Sequence, residues 1–117
     1  MTKLITKKIA QDLLSNALRV EQGVDALNLR PVVKFFTPDA GATWLIVSAE
    51  RAGDDVILFG WCDLGVGFPE LGTVSLQELQ SVRGKIGLPV ERDLYFRPQE
   101  TLQQIIDQSA NGHAICI

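Results

Sequence analysis

The chain has 117 residues, 46% of them hydrophobic, 21% charged and 7% aromatic, and its net charge is −3. A chain of this length forms one domain and buries about two-thirds of its unfolded surface, enough for a core without disulfides or metals as staples. The composition excludes a disordered or low-complexity chain, and the negative charge argues against non-specific binding to nucleic acid.

In chain order, the first element is a helix. Thr6 stands at its N-cap, and Ile9, Ala10, Leu13, Leu14, Ala17 and Leu18 form one stripe at helical period, with Gly23 as the stop. Gly23 to Leu29 reads as loop. Arg30 to Thr37 is strand-like, and Thr37-Pro38-Asp39-Ala40-Gly41 is the turn of a hairpin. On the returning strand, Ala42 to Glu50, strict alternation sets Trp44, Ile46, Ser48 and Glu50 on one face and Leu45, Val47 and Ala49 on the other. After the turn Ala52 to Asp55, the third strand opposes Val56, Leu58, Gly60 and Cys62 to Ile57, Phe59, Trp61 and Asp63.

A loop through Gly65-Val66-Gly67 leads to a short strand from Leu71 to Val74, and Ser75-Leu76-Gln77-Glu78 opens a short helix as a capping box. Lys85 to Asp93 is irregular, Leu94-Tyr95-Phe96 pairs as the last strand, and Pro98 starts a final helix carrying Leu102, Ile105 and Ile106, ended by Asn111-Gly112. The expected fold is α+β: a single antiparallel meander of four to five strands with N-terminal, middle and C-terminal helices on one face. Residues 1–117 form a single domain, with its core in 4–110 and a tail over 111–117.

Several chemistries fall away. The apolar runs are about seven residues, against the ~20 needed to span a bilayer, and Gln11 and Asp12 interrupt any signal-peptide pattern. Cys62 and Cys116 form no C-x-x-C pair, so neither a disulfide framework nor a zinc site is expected, and the protein reads as reduced and cytoplasmic. Gly65 and Gly67 lack the third glycine of a dinucleotide fingerprint, since Glu70 stands there, and no P-loop lysine follows. His113 is the sole histidine, no serine sits in a nucleophile elbow, and Cys62 reads as a small core residue. No catalytic residue, metal or cofactor is assigned.

Charge is unevenly distributed: +3 over residues 1–38, −6 over 39–78, +2 over 79–97 and −2 over the rest. Glu50, Asp63 and Glu70 in the acidic middle serve either as solvated edge charges or, if they converge, as a site for magnesium or manganese. Glu91-Arg92-Asp93 is read as a structural ion-pair cluster, with Arg92 reaching the acidic middle. Trp44 and Trp61, on adjacent strands, are core residues or, if exposed, interface anchors.

Val33-Lys34-Phe35-Phe36-Thr37-Pro38-Asp39, Thr43-Trp44, Phe59-Gly60, Glu70-Leu71-Gly72, Ser75-Leu76-Gln77-Glu78-Leu79 and Gly87-Leu88-Pro89-Val90-Glu91-Arg92-Asp93 with Phe96 and Pro98 together resemble a small bacterial family, domain of unknown function 2958. The resemblance covers residues 4 to 106. Val74 stands where an aromatic is common in that strand, and Cys62 is outside the pattern. The resemblance implies an accessory protein of plasmids and other mobile elements and brings no activity, cofactor or catalytic residue with it.

The leading expectation is a non-enzymatic module that binds another protein through an acidic sheet surface formed by Glu50, Trp61, Asp63 and Glu70. The alternative is a metal-assisted hydrolase using Glu50, Asp63 and Glu70. The weakest is a nucleic-acid-binding protein using Arg83, Lys85, Arg92 and Arg97. No membrane partner is expected, and the sequence leaves the oligomeric state open.

Overall fold

A computed structural model describes residues 3–65, 67 and 69–110, Ala110 by its backbone alone. The elements are α1 (Lys7–Glu21), a 3-10 turn (Ala26–Asn28), β1 (Val33–Phe36), β2 (Thr43–Ala52), β3 (Asp55–Asp63), β4 (Glu70–Ser75), α2 (Leu76–Ser81), β5 (Glu91–Arg92) and α3 (Leu102–Ala110). All pairings are antiparallel, and the sheet runs β4-β3-β2-β1-β5, giving an α+β fold. No helix among the described residues is long and apolar enough to cross a membrane. The stop at Asn111-Gly112 and the tail residues His113 and Cys116 lie outside the described residues, as do Val66 and Phe68.

The helices do not share one face. Leu13 of α1, Leu79 of α2, Val33, Phe35, Trp44, Ile46, Ala49 and Leu58 make one apolar cluster. Leu29, Leu45, Val47, Phe96, Leu102 and Ile105 make a second, which includes α3 and the segment before β1. β2 is therefore covered on both sides, and its run Trp44 to Val47 is buried at every position. A continuous apolar run is what such a strand requires.

Strict alternation along β2 also fails. Ile46 pairs with Gly60 and Ser48 with Phe59, so Val47 is an extra residue, a β-bulge. The phase shifts there, and Ala49 joins Trp44 and Ile46 in the first cluster. The carbonyl of Val47 accepts a hydrogen bond from Asn16 Nδ2 at 2.9 Å, which ties α1 to the bulge.

Local chemistry explains most element ends. Thr6 Oγ1 accepts from Ile9 N, Gly23 has φ 105°, and Ser75 Oγ accepts from Glu78 N. The last helix starts later than Pro98: Thr101 Oγ1 accepts from Gln104 N while Gln104 Oε1 accepts from Thr101 N, a reciprocal cap. The last strand lies earlier than Leu94-Tyr95-Phe96, because Asp93 Oδ1 accepts from Tyr95 N and turns the chain off the sheet.

Two carboxylates brace the turns. Asp39 Oδ2 accepts from Ile86 N at 2.8 Å and Leu88 N at 3.2 Å, holding the 82–89 loop to the β1–β2 turn. Desolvation pushes its pKa up, but these two amides and its own outweigh that and hold it below the ordinary value. Asp55 accepts from Ser75 Oγ, the dominant cause of its lowered pKa, and from Val56 N and Gln77 N. Folded-state pKa values below the unfolded value of 3.8 give stability that is complete above that pH and is lost as pH falls through the depressed values. Urea unfolding between pH 6 and 2 is expected to show this acid loss, and a D39N/D55N double variant to flatten it; an unchanged acid limb in the variant would contradict the assignment.

Candidate functional site

A cavity of about 710 Å³ forms a groove beside β1. One wall is α1, whose residues Lys8, Asp12, Asn16 and Arg19 fall on one face at i, i+4, i+8 and i+11. The other wall is the segment from Arg92 to Gln99, which leaves the sheet after Asp93 and carries Phe96 across to the second cluster. Arg30 and Pro31, just before β1, also line it.

The electrostatics of this groove oppose those of the whole chain. Four arginines line it: Arg19, Arg30, Arg92 and Arg97. Both carboxylates in the lining are already paired with lysines, Asp12 with Lys8 at 3.0 Å and Asp93 with Lys34 at 3.9 Å. These are the ion pairs found among the described residues, so no arginine has a carboxylate within 4 Å there. Arg92 Nε donates to the Lys3 carbonyl at 2.9 Å, and Arg97 Nη1 to the Phe96 carbonyl at 2.7 Å. Each guanidinium carries five N–H donors, so both keep most of theirs for a ligand. Chemically, the groove is suited to planar, bidentate recognition of phosphate or carboxylate.

The acidic residues singled out in the sequence are not gathered. Glu50 pairs opposite Ile57 and Asp63 opposite Thr43, at the two ends of the β2–β3 ladder and so about 20 Å apart at strand rise. Glu70 pairs opposite Cys62, adjacent to Asp63 in the ladder, and Asp63 Oδ1 accepts from Gly65 N at 2.9 Å. Trp61, opposite Leu45 and Leu71, is half-buried, and its Nε1 has no hydrogen-bond partner among the described residues. Trp44, on the other face, is 4% exposed. No group of three or more His, Cys, Asp or Glu side chains that could hold a metal ion occurs among the described residues. The hydrolase alternative needs Glu50 beside Asp63 and Glu70, and the ladder separates them.

Glu91, Arg92 and Asp93 do not pair with one another. Asp93 takes Lys34, Arg92 takes the Lys3 carbonyl rather than the acidic middle, and Glu91 is exposed opposite Phe36. Alternation along the strand sends neighbouring side chains to opposite faces, so adjacency in sequence does not give contact. Arg83 and Lys85 lie on the 82–89 loop outside the groove, where Arg83 Nη1 donates to the Gln80 and Val82 carbonyls. Cys62 packs against the first cluster; burial, and then the charge of Glu70, push its thiol pKa up, which favours the unreactive protonated form.

Sequence reading found Arg92 and Arg97 but not Arg19 or Arg30. The one signal present was the charge of +3 over residues 1–38, which the β1–β5 pairing sets against the basic block at 79–97.

Residues 4–116 match the family described as "Protein of unknown function (DUF2958)", and the chain belongs to that family. No curated protein and no solved structure matches it.

Proposed function

We propose that this member of the family is a binding module that holds an anionic partner in the arginine-lined groove. The observation that supports it is the set of four arginines in one cavity, without a carboxylate partner among the described residues, on a chain of net charge −3. Four like charges brought together without carboxylates repel one another, so their convergence is explained by a ligand that neutralises them. The apolar side chains of Pro31, Leu94 and Pro98 in the same walls lower the local polarity, which strengthens each charge-assisted contact.

Titration with tripolyphosphate and with polyglutamate, followed by amide chemical shifts, tests the reading. At least one is expected to shift amides of α1 and of residues 92–99 and to raise the melting temperature in proportion to ligand occupancy. An R19E/R30E variant is expected to bind at least ~100-fold more weakly, since each charged hydrogen-bond partner lost costs about tenfold or more. Failure of tripolyphosphate, polyglutamate and oligonucleotides alike to perturb the groove would refute it.

A second reading places a protein partner on the β4 edge of the sheet, with Trp61 and Asp63 on one face and Glu70 on the other. It draws support from Leu71, 41% exposed opposite Trp61 on the edge strand. Reversal of Asp63 and Glu70 to lysine should then abolish capture of a stoichiometric partner, and capture that survives the reversal would exclude this surface.

A further inference from the structure

We infer that the anion is a single-stranded polynucleotide, with its phosphates on the four arginines and a base stacked on Tyr95. This rests on the anion-binding reading of the groove and adds the class of ligand.

The first observation is length. The α1 wall runs from Thr6 to Arg19, and at 1.5 Å per residue this is about 20 Å. Arg92 is tied to Lys3 beside the start of α1, whereas Arg19 lies in its last turn. The positive groups are thus spread along a slot rather than closed round one phosphate.

The second observation is Tyr95. It stands between Leu94 and Phe96, both of which line the groove, yet it is 89% exposed. Its neighbour Phe96 is buried in the second cluster, and the Asp93–Tyr95 turn fixes the backbone between them. An aromatic ring held out in solvent on a fixed turn gains nothing for the core. Tyr95 does not itself line the groove, but it is held on the chain segment that forms the wall, and a charged slot with an exposed aromatic on its wall segment is the arrangement that binds single strands: the groove follows the backbone, and bases stack on the ring whatever their sequence. An acidic peptide would use the arginines and leave Tyr95 idle. The overall charge of −3 does not oppose this, because the groove's two carboxylates are already paired with lysines.

The test is fluorescence anisotropy with labelled single-stranded DNA and RNA of about ten nucleotides, the matching duplex, and polyglutamate of equal charge. Variants Y95A and R19E/R30E accompany the native chain, their folding checked by circular dichroism. All three positions are exposed. A single strand, DNA or RNA, is expected to bind more tightly than duplex or polyglutamate. With four phosphates neutralised, the logarithm of the binding constant should fall against the logarithm of salt with a slope near ~−3. Y95A should weaken the oligonucleotide about tenfold and leave polyglutamate unaffected, while R19E/R30E should weaken both. If polyglutamate binds in the groove and the oligonucleotide does not, or if Y95A leaves the oligonucleotide unchanged, the inference is overturned while the anion-binding reading stands. If no polyanion binds, both fall.

Discussion

Replacing Gly60 by alanine is expected to cost at least ~3 kcal/mol of stability, at the upper end of what overpacking does. A Cβ on Gly60 would overlap the carbonyl oxygen of Leu45 and come within 2.8 Å of the Leu45 carbonyl carbon and 2.9 Å of Ile46 Cα. All three atoms are backbone of the central strand, which is covered on both faces and cannot give way as a flexible side chain would. The overlap falls where Gly60 pairs with Ile46, directly beside the bulge at Val47. Gly72, paired with Gly60 on the edge strand, is the control: nothing lies within 4 Å of a Cβ built there. Gly72→Ala should therefore be neutral or slightly stabilising through the unfolded chain. Thermal unfolding of the pair decides it. For a domain of this size the Gly60 variant should lose more than ~10 °C, and a loss no larger than that of Gly72→Ala would show that the strands can separate locally.

The same bulge marks where the sequence stops being readable. Periodicity placed α1, the meander and the Ser75 cap because each depends on residues close together in the chain: a stripe, a turn, a hydroxyl three residues from an amide. A bulge depends on the partner strand. Nothing in Ile46-Val47-Ser48 declares that the alternation slips there; the slip follows from how β2 packs against β3, with Asn16 of α1 taking the freed Val47 carbonyl. The second helical layer did leave a trace. Trp44 to Val47 is apolar at consecutive positions, the pattern of a strand buried on both sides, and the same residues also fit a two-residue alternation. At the chain's end the capping pair Thr101–Gln104 was present in the sequence and overshadowed by Pro98.

The candidate site was legible only as two separate charges. Block by block, the sequence holds an excess of basic residues over 1–38 and over 79–97, on either side of an acidic middle. Summation to −3 hid the local balance, because electrostatic recognition depends on which charges share a cavity and not on their total. Arg19 and Arg30 are distant in sequence from Arg92 and Arg97. They meet because β5 returns to pair with β1, a contact of high sequence separation that no local pattern encodes. Glu50 and Asp63, by contrast, sit on strands joined by one tight turn, and antiparallel pairing sends them to opposite ends.

The R19E/R30E variant is expected to separate stability from binding. Arg19 and Arg30 are exposed, and neither has an ion pair among the described residues. Arg30→Glu should therefore change stability by no more than ~0.5 kcal/mol, the range for surface positions, and Arg19→Glu should lose about 0.3–1 kcal/mol of helix-end stabilisation in the last turn of α1, offset in part by relief of repulsion against Arg92 and Arg97. Two lost charge-assisted hydrogen bonds amount to about 3–6 kcal/mol of ligand affinity, or at least ~100-fold. Lys34→Ala provides the contrast. Lys34 and Asp93 are 18% and 21% exposed at the side chain, and removal of the lysine leaves a half-buried carboxylate at the groove wall without its cation. That variant should lose about 1 kcal/mol, near the top of the range for exposed pairs. Parallel urea unfolding and tripolyphosphate titration of the three proteins give the decisive comparison. If R19E/R30E unfolds more easily than Lys34→Ala, the arginines hold the fold together and the groove loses its claim to a ligand. If its stability is retained while affinity collapses, the arginines are maintained for binding.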